Sequence, residues 1–480
     1  MAHAIEVNER LQALTQAGTS VWLDQIRRSL IESGELERMV REDSLRGVTS
    51  NPAIFEKSIL GADEYDGQIE EMTKAGADAR GLYRAIAVKD VQDACDVLRP
   101  VWEESGHADG FVSLEVDPDL AHDTDLTIKQ AHEYWEAVDR PNLMIKIPGT
   151  DAGVPAIDTV IAAGINVNVT LLFSVESYSN IAEAFIRGME ARHERGEHLD
   201  VHSVASFFVS RVDTEVDKRL KAIGGHDELM GKAGLANARA AYMRFKEIFY
   251  GARFAELREA GAKVQRPLWA STGVKNPAYS PTMYVDGLVA PDTVNTMPMD
   301  TLLAAAKGSE ITGATADQDP TEDLEALAAA GIDMEEVTLK LLDDGISAFV
   351  TPMEKLLAGV ESKREAIVTG RPPTIESAIP DELEPAIAKR IAQAGEERIV
   401  KRIWAKDDTV WGPAGQDEVG NRLGWLTIAS RMADEVDDLQ AFASGVQESG
   451  FTDVVLLGMG GSSLAPEVLK RSFAGQADGP

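Results

Sequence analysis

Cysteine is almost missing from this chain: Cys95 is the only one in 480 residues. An intrachain disulfide is therefore excluded. Cys95 sits in "VKDVQDACDVLRPVW", whose apolar spacing is helical, so it reads as a small buried hydrophobe rather than a nucleophile. Long apolar runs are missing too. No stretch approaches the ~20 residues that a membrane span requires, and no signal peptide opens the sequence, so a cytoplasmic location is expected. Basic side chains are scarce, 47 against 80 acidic ones, for a net charge of −33. Such a surface repels phosphate backbones and anionic bilayers, which argues against nucleic-acid and membrane partners. An anionic small substrate would need a few cations gathered locally. What remains is ordinary for a soluble globular protein, 44% hydrophobic and 26% charged, at a length that suggests two domains.

Eight short strand-like segments alternate with helical stretches: 20–26, 46–52, 110–117, 143–150, 165–174, 203–213, 266–272 and 292–298. Between them lie amphipathic helices such as "LTIKQAHEYWEAVDRP", with Ile128, Ala131, Trp135 and Val138 on one face and Pro141 as its stop. Eight strand–helix repeats predict a closed (β/α)8 barrel. The long intervals after strands two and six call for additional helices. Beyond residue 365 the composition changes. We expect a barrel domain over 1–365, a proline-rich linker over 366–379 and a second α/β segment over 380–480. The last is mostly helical and ends in an apolar strand and a glycine-rich turn, "VVLLGMGGSSLAPEVL".

In a (β/α)8 barrel the chemistry lies at the C-terminal strand ends. Those ends supply Asp24, Asn51, Glu115, Lys146, Asn168 with Thr170, Ser206 and Ser271. Each has a structural alternative: Asp24 could cap a helix, Asn51 could serve the turn before Pro52, and Lys146 could snorkel outward. Lys146 is the sharpest of them, one amine inside the apolar run "NLMIKIPGT". Burial favours the neutral form of an amine, which is the form that attacks a ketone. The resulting iminium is an electron sink for breaking an adjacent C–C bond. A carboxylate, Asp24 or Glu115, would move the substrate protons.

The motifs "GVTSNPAIF", "VSLEVDP", "LMIKIPGT", "INVNVTLLFS", "FFVSRVD" and "LWASTGVKNPAYSPTMYVDGLVAPDTVNTMP" occur in an order that resembles the long bacterial transaldolases. The resemblance implies a Schiff base on Lys146 and transfer of a dihydroxyacetone unit between sugar phosphates, from sedoheptulose 7-phosphate to glyceraldehyde 3-phosphate. It also implies Asp24 as acid/base for cleavage and Glu115 as holder of the water used in imine formation. Asn51, Asn168, Thr170, Ser206 and Phe208 would shape the substrate site, and Arg211, Ser271 and Lys275 would bind phosphate. Many transaldolases carry an arginine where this chain reads "STGVKN", so Lys275 stands in for a bidentate fork with a point charge. No cofactor and no metal are implied, since the lysine is itself the electron sink. The crowded "EVDPDLAHDTD" lacks calcium-loop spacing and is expected to be a solvated loop after Glu115. Two other readings stay open: a Schiff-base aldolase releasing free dihydroxyacetone, and a non-enzymatic sugar-phosphate-binding module.

The segment from about residue 380 resembles the opening of a glucose-6-phosphate isomerase, with Gly460, Gly461, Ser462 and Ser463 as a weak phosphate loop at a helix N-terminus. That resemblance implies a bifunctional parent and a chain cut within its second domain. No isomerase activity is expected from these residues alone.

Overall fold

The structure is a computed structural model that describes residues 7–369, 383–451, 453, 455–459 and 461–473. The chain divides into two compact units, Met1–Thr374 and Ile375–Pro480.

The first unit is a closed barrel of eight parallel strands in sequence order. The strands are β1 (Thr19–Leu23), β2 (Leu45–Val48), β3 (Phe111–Glu115), β4 (Leu143–Pro148), β5 (Val167–Leu172), β6 (Ser203–Phe208), β7 (Arg266–Ala270) and β8 (Thr293–Met297). Each falls largely within one of the eight expected segments. All eight end earlier than expected, because the residues that closed each segment belong to the following loop or helix. The clearest correction concerns 203–213: β6 stops at Phe208, and Arg211 lies in the first turn of the helix Ser210–Ile223. The intervals after β2 and β6 do hold extra helices, Pro52–Leu60, Asp66–Lys74 and Ala79–Glu104 in one, Ser210–Ile223, Ala233–Phe249 and Ala255–Glu259 in the other.

The strands read as apolar runs because both faces are covered: helices pack outside, and side chains fill the interior. The floor of the barrel is packed by Trp22, Phe111, Met144, Val204, Leu268 and Val294. Gly47 is required beside them, since a Cβ there would sit 2.4 Å from the Trp22 indole. Above this layer the interior turns polar, and strand register sets Glu115, Lys146 and Asn168 side by side.

The predicted helix after β3 runs Thr124–Val138 and ends with Asp139 in the left-handed region, two residues before Pro141. Its buried face centres on Thr127, Ala131, Tyr134 and Val138, with Ile128 and Trp135 only half buried. The expectation of a solvated loop after Glu115 fails at Asp117. That carboxylate is buried, accepts hydrogen bonds from Arg80 and Tyr134, and fastens the loop to the outer helices. Cys95 is fully buried, and burial pushes its thiol far above the usual range.

A 36-residue helix, Met334–Thr369, continues past residue 365 and carries four residues of the stretch expected to be linker. Residues 370–379 of that stretch lie outside the described residues. In the second unit the described residues form helices at Glu384–Glu396, Ile399–Trp404, Ile428–Asp434, Val436–Glu448 and Gly461–Phe473. The expected apolar strand is absent among them: Val455, Leu456 and Leu457 have no strand partner and are exposed. A single strand without a neighbour has no hydrogen-bond ladder to hold it. Of the proposed phosphate loop, Gly460 lies outside the described residues, and Gly461, Ser462 and Ser463 begin the last helix.

Candidate active site

The C-terminal ends of the strands surround a cavity of about 340 Å³. Its lining includes Asp24, Asn51, Lys146, Thr170, Ser206, Phe208, Arg211, Ser271 and Lys275, nine of the eleven residues nominated from the barrel sequence. Glu115 and Asn168 stand behind that lining.

Lys146 is 4% exposed and points inward, so it does not snorkel. Its Nζ donates to the Ser50 carbonyl at 3.1 Å and lies 3.3 Å from Glu115 Oε2. The Glu115 contact is an ion pair without hydrogen-bond alignment, leaving both carboxylate oxygens buried and without a hydrogen-bond partner among the described residues. Burial raises the Glu115 carboxyl to about 7; the Lys146 charge opposes the shift and the Asp24 charge adds to it. A carboxyl titrating near neutrality takes up and returns a proton with equal ease.

Asp24 follows β1 and caps no helix. Its Oδ1 accepts from the Thr49 hydroxyl at 2.7 Å, and Thr49 lies 2.7 Å from the Thr296 hydroxyl. Since Thr49 has one proton and gives it to Asp24, Thr296 must donate to Thr49. Burial raises the Asp24 carboxyl, with Lys146, Thr49 and Arg211 pulling the other way. Asp24 and Glu115 thus flank one lysine, and each is easier to protonate than a surface carboxylate.

Asn51 does serve the turn before Pro52: its Oδ1 caps the helix Pro52–Leu60 through the Ile54 amide at 3.0 Å. That leaves its Nδ2 for the cavity it lines. Asn168 differs. It is fully buried, donates to Ser113 Oγ at 2.9 Å and accepts from Ser206 Oγ at 2.7 Å. Its amide therefore links three strands directly behind Ser206, which lines the cavity. Thr170 lies beside a bulge in β5, where the pairing with β6 shifts between Val169 and Leu172 and Leu171 takes a φ of +62°. A leucine in that region is strained. The bulge turns Leu171 inward against Gly345 of the helix Met334–Thr369 and leaves the Thr170 hydroxyl without a partner among the described residues, at the cavity wall.

Cations from several strand ends line the cavity. Arg211 stacks over Phe208, 5.2 Å from the ring centroid, and makes no side-chain hydrogen bond among the described residues, so its guanidinium donors are free. Burial lowers its pKa from the usual value, while Asp24 and Asp344 oppose the shift. Ser271 follows β7 with φ +55°, which brings its hydroxyl 3.0 Å from that of Ser210. Lys275 and Lys57 line the same cavity. In an acidic protein, four cationic side chains around one cavity mark a site for an anion.

Thr49, Thr296, Lys57 and Phe349 also line the cavity, beyond the residues nominated from the sequence. Phe349 comes from the helix Met334–Thr369, and its ring centroid lies 5.4 Å from Lys146 Nζ. No strand-end rule could have found a residue supplied by a helix 200 positions away.

Residues 21–360 match the family model described as transaldolase/fructose-6-phosphate aldolase. The chain is 51% identical over 369 residues to a transaldolase of Mycobacterium marinum, covering 75% of this chain and 98% of that protein. It is 51% identical over 365 residues to a transaldolase of Mycolicibacterium smegmatis, covering 75% and 98%. Against a transaldolase of Mycobacterium tuberculosis the identity is 51% over 359 residues, covering 73% and 96%. About a quarter of the chain lies outside each match.

Proposed function

This chain belongs to the transaldolase/fructose-6-phosphate aldolase family, and from that premise we propose how its residues divide the work of a transaldolase. It is a transferase of the pentose phosphate pathway acting on sugar phosphates. The observation that carries the residue assignment is Lys146, an amine buried at the end of β4, facing a cation-lined cavity with a neutral-range carboxyl 3.3 Å away.

Lys146 gives its proton to Glu115 and attacks the ketone carbon of the donor. The carbinolamine hydroxyl leaves as water, protonated by Glu115 through a water that one of its free oxygens holds, and an iminium forms. Asp24 then takes the proton of the hydroxyl next to the scissile bond. The C–C electron pair moves into the iminium to give an enamine, and the aldose phosphate departs. The enamine carbon attacks the acceptor aldehyde, and Asp24 returns its proton to the new alkoxide. Asn51, Thr170 and Ser206 hold the hydroxyls of the three-carbon unit, while Arg211, Ser271 and Lys275 hold the phosphate. Phe208 keeps Arg211 in place. Asn168 acts through Ser206 rather than on the substrate.

Product analysis tests the reaction class. With fructose 6-phosphate as donor, product formation should depend on erythrose 4-phosphate as acceptor. Steady release of dihydroxyacetone without acceptor would instead assign the aldolase activity that shares the family.

We further propose that residues 380–480 are related to the opening of a glucose-6-phosphate isomerase, on the motifs "ERIVKRIWAKDDTVW" and "VVLLGMGGSSLAPEVL", and that the protein works in the cytoplasm. No helix among the described residues is long and apolar enough to cross a membrane. Isomerase turnover that survives Lys146→Ala would overturn the expectation that these residues lack that activity.

A further inference from the structure

At the end of the barrel opposite Lys146, three side chains from two loops converge. His107 precedes β3 in the loop after the helix Ala79–Glu104, and Asp200 and His202 lie just before β6. His107 Nδ1 is 2.7 Å from one oxygen of Asp200, and His202 Nε2 is 2.8 Å from the other. One donor atom from each residue lies within 4.8 Å of the other two. Both rings are held in place. His107 stacks on Trp102 with centroids 3.5 Å apart and planes 7° from parallel, and His202 packs against Phe111 at 5.2 Å.

We propose that His107, Asp200 and His202 form a binding site for a borderline divalent transition ion such as zinc. Two imidazoles and one carboxylate are a donor set that suits zinc and does not suit magnesium or calcium, which prefer oxygen throughout. Ligand atoms about 2.1 Å from a tetrahedral ion stand roughly 3.4 Å apart; the two short contacts, each to a different Asp200 oxygen, lie at 2.7 and 2.8 Å, and the three donor atoms lie within 4.8 Å of one another, so small shifts bring them to that spacing. The ion takes Nδ1 of His107 and Nε2 of His202, with each ring proton on the remaining nitrogen, so neutral rings bind by a change of tautomer alone. His107 and Asp200 are partly exposed, 34% and 48% at the side chain, which gives the ion a path in and leaves solvent to complete its coordination. The one thiol, Cys95, is buried in the core and cannot compete. The site is separated from the catalytic cavity by the length of the barrel, so the ion takes no part in the C–C chemistry. It ties the loop before β3 to the loop before β6 and stabilises the native state by mass action.

The test uses the full chain, stripped with a chelator and titrated with zinc chloride by calorimetry and by thermal melting. One zinc per chain should bind with a Kd in the micromolar range or tighter, and 100 µM zinc should raise Tm by roughly 2–4 °C. Magnesium at the same concentration should do neither, which separates the site from the general attraction of an acidic surface. His107→Ala and Asp200→Asn, both at accessible positions, should each weaken zinc at least tenfold and keep full transaldolase activity, while His122→Ala should leave zinc binding unchanged. Zinc binding that survives both ligand variants, a Kd weaker than about 1 mM, or equal binding of magnesium would each overturn the proposal and leave the trio as a hydrogen-bonded clasp.

Discussion

Replacing Glu115 by glutamine removes one titrating group and little volume, and the consequence for stability is calculable in sign and size. The Glu115 carboxyl titrates near 7 in the folded chain against an ordinary value of 4.5, chiefly because burial disfavours its charge. Between those two values the folded state holds a proton that the unfolded state has released. Stability therefore falls as pH rises through that window, the reverse of an ion-paired surface carboxylate. The span of about 2.5 units at ~1.36 kcal/mol each gives a loss of roughly 3 kcal/mol from below pH 4.5 to above pH 7. Glutamine cannot titrate and escapes that loss. The attraction of Lys146 for the Glu115 charge is already contained in that folded value, which it lowers. Melting curves of wild type and Glu115→Gln at pH 5 and pH 8 should show the variant gaining on wild type at the higher pH by most of that amount, a few degrees in Tm. A Tm difference that is the same at both pH values would refute the assignment of a neutral-range carboxyl to Glu115.

Three further outcomes follow from the site geometry. Asp24→Asn should still form the covalent adduct yet transfer the three-carbon unit about 10²–10⁴-fold more slowly, whereas Glu115→Gln should slow appearance of the adduct itself; equal effects on trapping would remove the division of labour. Arg211→Ala and Lys275→Ala should raise KM for phosphorylated substrates and weaken inhibition by inorganic phosphate, the arginine more because it offers a bidentate fork; unchanged phosphate inhibition in Lys275→Ala would leave Arg211 and Ser271 as the phosphate ligands. Asn168→Ala, which deletes two buried hydrogen bonds, should cost about 2–4 kcal/mol of stability, while Asn51→Ala should cost only the ~1 kcal/mol of a lost helix cap and raise KM; urea unfolding and steady-state kinetics of the two variants separate them.

The barrel was legible because strands covered on both faces leave continuous apolar runs, and eight such runs separated by helices admit few other closures. The strand ends then named the cavity. Lys146 could be found because an amine inside "LMIKIP" breaks a pattern that burial otherwise enforces. Asn168 was legible as an inward-facing strand residue, whereas its hydrogen bonds to Ser113 and Ser206 were not, since spacing says which way a side chain points and not what occupies its hydrogen bonds. Asp117 looked solvated because its partners Arg80 and Tyr134 come from elsewhere in the chain. The pairing of Thr49 with Thr296, both at strand ends, was hidden because it joins residues 247 positions apart, and Phe349 because it is delivered by a helix that belongs to no strand. His107 and Asp200 stand 93 positions apart, a separation that no metal-ligand motif encodes.

The central claim is that Lys146 is the covalent residue, and borohydride reduction with fructose 6-phosphate tests it most directly. Peptide mass mapping of the trapped full-length protein should find a reduced three-carbon unit on the peptide containing Lys146, and Lys146→Arg should give neither adduct nor transfer, because a guanidinium does not release its proton. An adduct on Lys57, Lys129 or Lys275, or activity retained by Lys146→Arg, would contradict the account.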